Sequence, residues 1–250
     1  MPVIREASQL NHRSGPGWDC QAWASADAFG APVPMRADRY RLAPGARSEL
    51  IPLGGQEAVG YVIAGTGIAH ASGEAFPLAR ESMLWLAACS GLELEAGPDG
   101  LDLLVAESEA ADAEALAPLR KVLAAGELPH LTSTRDTRDR LDLVTDEVPV
   151  GATLLRADRI SYHPGDTAAA HYHTDCHHVF CVLTGSGLLY SGEQAYRLTA
   201  GDSALVGPGE VHWFENDTTE NFAFVEFWAP PPADTVWTVT GDRCTWAPAG

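Results

Sequence analysis

No stretch of this 250-residue chain approaches the ~20 consecutive apolar residues that a membrane-spanning helix needs. The opening residues, MPVIREASQLNHRS, lack the apolar run of a secretory leader, so a cytoplasmic protein is expected. Basic charge is scarce. Sixteen Lys and Arg stand against 34 Asp and Glu, a formal net charge of -18. That balance excludes nucleic acid and anionic membrane surfaces as partners, because both need a basic footprint. Its plain consequence is solubility. Cysteine is sparse and odd in number: Cys20, Cys89, Cys176, Cys181 and Cys244 are scattered, with no CxxC. Neither a disulfide framework nor a thiolate metal site is expected.

Glycine (24) and proline (17) are plentiful, and 46% of the chain is hydrophobic. That mix suits short strands and tight turns around a real core. One plan is written twice, over roughly residues 40–86 and 160–206. Each copy opens with a strand-like segment ending in Pro-Gly, at Pro44-Gly45 and Pro164-Gly165. Each then runs through β-rich sequence into a Gly-x-Gly turn, Gly65–Gly67 and Gly185–Gly187, followed by a hairpin near Gly73 or Gly192. The distance from Pro-Gly to Gly-x-Gly is the same in both, which indicates an internal duplication of about 120 residues. Alternation of period two within the copies fits half-buried antiparallel strands. Between them, residues 110–125 have helical spacing interrupted by Pro118, which suggests a short helix, and residues 131–146 read as linker. The expected domains are therefore 1–108, a linker at 109–147, and 148–250. The tail after Pro232 looks like one more strand pair that packs on the other domain.

The second copy carries a histidine cluster. His171 and His173 are two apart, so on a strand both imidazoles leave one face. His177 and His178 follow, and His212 stands just after a Pro-Gly turn, Gly207-Pro208-Gly209, that aims it back across a barrel. These stretches resemble the cupin superfamily. Its first motif, G-x5-H-x-H-x3or4-E-x6-G, is matched by Gly165, His171, His173 and Gly185, with His178 where glutamate is usual. Its second, G-x5-P-x-G-x2-H-x3-N, is matched by Gly201, Gly209, His212 and Asn216, with Gly207 replacing the first proline. The resemblance implies an all-β protein of two double-stranded β-helix (jelly-roll) barrels. The C-terminal barrel would hold one divalent metal on His171, His173, His178 and His212. Counting from Gly185 and strand parity favour His178 over its neighbour His177. In the first copy the equivalent positions are Ile51, Leu53, Ala58 and Gly91, none of which can ligate a metal. That barrel resembles the degenerate half of a bicupin, kept for packing, for homodimer formation or to cover the other site. His70 and His163 lie outside the motifs and read as structural and rim residues.

Neutral imidazoles leave a metal's +2 charge uncompensated, which favours a small anionic or chelating substrate. Imidazole suits iron, nickel, copper and zinc, and open coordination positions favour iron, manganese or nickel. Glu226 interrupts a very apolar strand, and a buried carboxyl there would serve as a catalytic acid or base. Tyr172 and Cys176 read as packing and loop residues, and Trp213 and Phe214 as closing the barrel mouth. The histidine-only site is similar to three-histidine cupin dioxygenases, which implies an Fe(II)-dependent oxygenase. The two-barrel plan is similar to ureidoglycine aminohydrolase, which implies a non-redox isomerase, lyase or hydrolase, although that family's glutamate and glutamine ligands are absent. A metal- or ligand-binding protein without activity is the third possibility.

Overall fold

The structure, a computed structural model, describes residues 1–54, 57–108, 119–145, 148, 152–232 and 234–249. The chain divides into two compact units. The first comprises Leu10–Leu128 with Asp146–Leu155, and the second comprises Met1–Gln9, Pro129–Thr145 and Arg156–Gly250. Both are built from antiparallel strands, and no described helix is long and apolar enough to cross a membrane.

In the second unit, the described strands form two sheets. The larger orders Val3–Arg5, Ser203–Val206, His177–Thr184, Phe222–Ala229, Arg156–Tyr162, Asp139–Val144, His130–Ser133 and Trp246–Pro248. The smaller orders Gln194–Thr199, Ser186–Ser191, His212–Glu215, His171–Tyr172 and Val236–Trp237. Phe222–Ala229 sits mid-sheet and is buried throughout, which is why its sequence is a continuous apolar run rather than an alternation. Phe180, Phe214, Phe222 and Phe224 pack with Tyr162 into one aromatic core, with ring centroids 4.6 to 6.2 Å apart. Burying each such ring contributes roughly 1.5–3 kcal/mol.

The other unit repeats this plan around an apolar core containing Ile51, Leu53, Val62, Leu92 and Leu103. Register makes the repeat explicit. Ile51 pairs with Leu92 as His171 pairs with His212, so the counterpart of His212 is Leu92 rather than Gly91. Both copies of the Pro-Gly-to-Gly-x-Gly plan end on a glycine with positive φ, Gly65 (φ 80°) and Gly185 (φ 71°). A Cβ would strike the Gly100 carbonyl in one copy and the Asn221 carbonyl in the other, so the close strand crossing admits only glycine.

The domain boundaries differ from those expected. Val3–Arg5 pairs with Ser203–Leu205, so the start of the chain belongs to the histidine-bearing unit. The segment expected to be linker contains the strands Leu119–Leu123, His130–Ser133 and Asp139–Val144. Residues 109–118, where most of the expected helix lies, fall outside the described residues, and Leu119–Leu123 of the remainder is strand, followed by a single 3-10 turn at Ala125–Glu127. Polar sequence at 131–145 was misleading because its arginines and aspartates pair with one another inside the unit. The tail joins its own unit: Val236–Trp237 pairs with His171–Tyr172, and Trp246–Pro248 with Leu131–Ser133.

Two glycine substitutions separate conformational strain from steric conflict. At Gly165 (φ 85°) an added Cβ meets nothing, whereas at Gly185 it meets backbone. Gly165→Ala is expected to cost about 1–3 kcal/mol from the left-handed backbone alone. Gly185→Ala should cost more, read as a lower melting temperature than that of Gly165→Ala; equal melting points would contradict the crossing argument.

Candidate metal centre

His171 and His173 leave a short strand and its immediate extension, and His212 begins the strand paired with His171. The turn before His212 is held by Gly209, whose amide donates to the His173 carbonyl oxygen at 2.6 Å with φ at 73°. The hydrogen bonds thus tie two stretches of the motif together. Asn216 is fully buried and donates to the Tyr162 and Glu220 carbonyls at 2.9 and 2.7 Å, which accounts for an asparagine at the end of the second motif. One ligand-type atom from each of His171, His173 and His212 lies within 4.8 Å of the others.

Backbone carbonyls fix the tautomer of all three. Nδ1 of His171 faces the Ala169 carbonyl at 3.0 Å, Nδ1 of His173 the Asp234 carbonyl at 3.2 Å, and Nδ1 of His212 the Glu210 carbonyl at 2.9 Å. A carbonyl only accepts, so each Nδ1 carries the proton and each Nε2 keeps a lone pair. Nε2 of His173 is buried and has no hydrogen-bond partner. An unpartnered lone pair in a dry pocket is costly unless a cation takes it up. The donor set therefore fits a divalent transition metal.

His178 meets this cluster from the larger sheet. Its Nδ1 lies 3.2 Å from Nε2 of His212, and its Nε2 lies 2.9 Å from a Glu226 carboxyl oxygen. Two nitrogens on one metal at ~2.1 Å stand about 3.0–3.4 Å apart, so Nδ1 of His178 has that spacing to His212, while the group with atoms within 4.8 Å of one another is His171, His173 and His212. Two protonation patterns satisfy this chain. With the Glu226 oxygen that faces His178 unprotonated, His178 Nε2–H donates to it and Nδ1 presents a lone pair to the cluster. With that oxygen protonated, it donates to Nε2, and Nδ1–H donates to His212. His177, the adjacent rival, does not line the cavity, whereas His178 does.

Burial holds the imidazoles neutral. It lowers His171 to about 4, it lowers His173, and it carries His178 and His212 well below the ordinary histidine value. Burial acts oppositely on carboxyls. Glu226 is raised above the ordinary carboxylate range, and Asp158, directly across the strand pair from it, is raised by burial and by the Glu226 charge.

All four histidines and Glu226 line one cavity of about 200 Å³, walled by Phe180, Phe214, Trp228 and Trp237. Phe214 is thus part of the wall, whereas Trp213 stacks on Tyr190 at 4.8 Å and lies outside it. Of the remaining sequence candidates, His163 is at the surface with its amide on Asp166, and His70 faces Glu95 at 3.5 Å. Three arginines in the same cavity, Arg138, Arg140 and Arg156, were not anticipated. Arg138 and Arg140 lay in sequence read as linker, and only pairing of that segment into the sheet brings them inside.

Fold and motif geometry together define two barrels of the cupin fold, and residues 158–228 match the family model described as "Cupin domain". A search of curated protein sequences finds no significant match. Among solved structures, the chain is similar to the S161A mutant of Bacillus subtilis oxalate decarboxylase, with 13% identity and a TM-score of 0.78 over 94% of this chain and 79% of that one. It is also similar to a Lactobacillus farciminis oxalate decarboxylase formate complex, with 14% identity and a TM-score of 0.76 over 94% and 88%. At that identity the likeness establishes the fold.

Depressed imidazole pKa values set a pH test. Protons compete for a histidine ligand only once the pH nears its folded-state pKa. Metal retention in equilibrium dialysis should therefore persist below the free-imidazole value, with its loss displaced to lower pH. Loss with a midpoint near 6.5, the free-imidazole value, would contradict the burial argument.

Proposed function

We propose that this protein is a metal-dependent lyase acting on a small carboxylate, with one divalent metal held by Nε2 of His171, His173 and His212 and by Nδ1 of His178. The observation that carries the reading is the set of three Nε2 lone pairs turned to one point by Nδ1 bonds to carbonyls. When bound, the metal supplies Lewis-acid polarisation of a substrate oxygen. An imidazole-only donor set suits iron more than manganese, so iron is the metal assigned here. The manganese named for the Bacillus subtilis oxalate decarboxylase is its competitor.

The remaining work falls to the chain's own side chains. Arginines draw an anion into a cavity whose size admits only a small molecule. Trp228, Trp237, Phe180 and Phe214 exclude water and so strengthen every charge interaction inside. With His178 Nε2–H donating to one Glu226 oxygen, the carboxyl, raised by burial, keeps its own proton on the other oxygen near neutral pH and can deliver it where carbon dioxide departs. Decarboxylation consumes that proton and leaves R–H in place of R–CO₂⁻.

An Fe(II)-dependent oxygenase was the leading expectation from sequence. The two solved structures described above are oxalate decarboxylases, and they favour the lyase alternative. Proton transfer from Glu226 also serves a lyase directly. A panel of two- to four-carbon carboxylates, assayed for carbon dioxide release with an oxygen electrode in the same cell, discriminates between them. Carbon dioxide release without net oxygen uptake is expected, and Glu226→Gln should lower kcat by about 10²–10⁴-fold, the usual worth of a general acid. Oxygen uptake stoichiometric with substrate would overturn the lyase in favour of the oxygenase.

A further inference from the structure

The chain writes Arg-Ala-Asp-Arg twice, at residues 36–39 and 156–159, at the same place in the two repeats. The strands Met35–Leu42 and Arg156–Tyr162 present these residues to equivalent neighbours, so each arginine has a control in the other unit. Arg36 stands opposite Glu107, and the two form an ion pair at 2.8 Å. Arg156 stands opposite Trp228. Where the unit without the histidine cluster supplies a carboxylate, the unit with it supplies an indole. Arg156 therefore has no ion pair among the described residues, and its guanidinium lies 5.7 Å from the Trp228 ring centroid.

That position is next to the histidine cluster. Trp228 stacks on His178 with centroids 4.4 Å apart and planes 24° from parallel. Arg156 lines the same cavity as the four histidines. The other two arginines there are committed. Arg138 donates through Nε to both oxygens of Asp136 at 2.8 and 2.9 Å, and Arg140 pairs with Asp142 at 2.7 Å. A half-buried guanidinium with no ion pair among the described residues favours an incoming carboxylate, which it can grip through two parallel N–H bonds.

We infer that Arg156 is an anion-binding residue that holds the second carboxylate of a small dicarboxylate whose first carboxylate lies at the histidine cluster. The incoming group takes the place that Glu107 fills in the other repeat. The inference rests on the lyase reading for the first carboxylate, but the contribution of Arg156 does not depend on a metal. Specificity follows: a monocarboxylate leaves the guanidinium unpaired, and a dicarboxylate satisfies it.

Isothermal titration of the purified full chain with malonate, succinate and acetate tests this, on metal-loaded protein and on metal-stripped protein. The wild type should bind a dicarboxylate at least tenfold tighter than acetate in both forms. Arg156→Gln should weaken dicarboxylate binding by roughly 10–100-fold, the worth of a hydrogen bond to a charged group. On metal-loaded protein it should leave acetate binding within about twofold and the metal content unchanged, and Arg156→Lys should recover part of the loss. Equal affinities of wild type and Arg156→Gln for both dicarboxylates would overturn the inference. So would a loss shared equally by acetate on metal-loaded protein, which marks a structural role. A wild-type chain that retains no metal, but still prefers dicarboxylates through Arg156, would instead overturn the metal reading alone.

Discussion

Each of three imidazoles gives its Nδ1 proton to a backbone carbonyl, and the rest of the centre follows from that constraint. Side chains could turn, but the carbonyls of Ala169, Glu210 and Asp234 are placed by the strands and by the tail. The first two lie two residues before their own histidine, so local chain geometry sets both ring and tautomer. The third comes from a segment 61 residues on, which makes the tail part of the site. With Nδ1 committed, Nε2 has no choice but to face the cavity. Burial then keeps the rings neutral, and a neutral ring with a fixed lone pair is what a metal ligand must be.

The two units show what this centre requires beyond a barrel. They share Pro-Gly turns, Gly-x-Gly crossings and register. In the first, Ile51, Leu53, Ala58 and Leu92 fill the positions that His171, His173, His178 and His212 occupy in the second. The difference extends one layer outward. Gly60 pairs with Val105 where Phe180 pairs with Glu226, so the carboxyl that meets His178 is also replaced by an apolar residue. Glu226 thus accompanies the histidines and not the fold. A buried carboxyl among phenylalanines is expensive unless something answers it, and His178 answers it at 2.9 Å.

Much of this was legible in the sequence because it depends on local spacing. Period-two alternation and repeated glycine turns revealed the strands. The spacing of His171, His173 and His212 placed them on paired segments, and strand parity separated His178 from His177. What was hidden depends on long-range pairing. Arg138 and Arg140 sit in sequence whose polarity is ordinary for a linker, because their partners Asp136 and Asp142 are only two residues away. Nothing local says that such a segment enters a barrel. The start of the chain was misassigned for the same reason, since Val3–Arg5 finds its partner some 200 residues later. The repeat of Arg-Ala-Asp-Arg was visible, but its meaning came from comparing Glu107 with Trp228 across the register.

X-ray absorption at the edge of the bound metal, in the full chain loaded with iron(II), tests the centre most directly. Three or four imidazole nitrogens near ~2.1 Å, with multiple scattering from intact rings, are expected from the converging Nε2 and Nδ1 atoms. A shell dominated by oxygen, or one with fewer than three imidazoles, would contradict the assignment of His171, His173 and His212 as ligands, and a shell of three would remove His178.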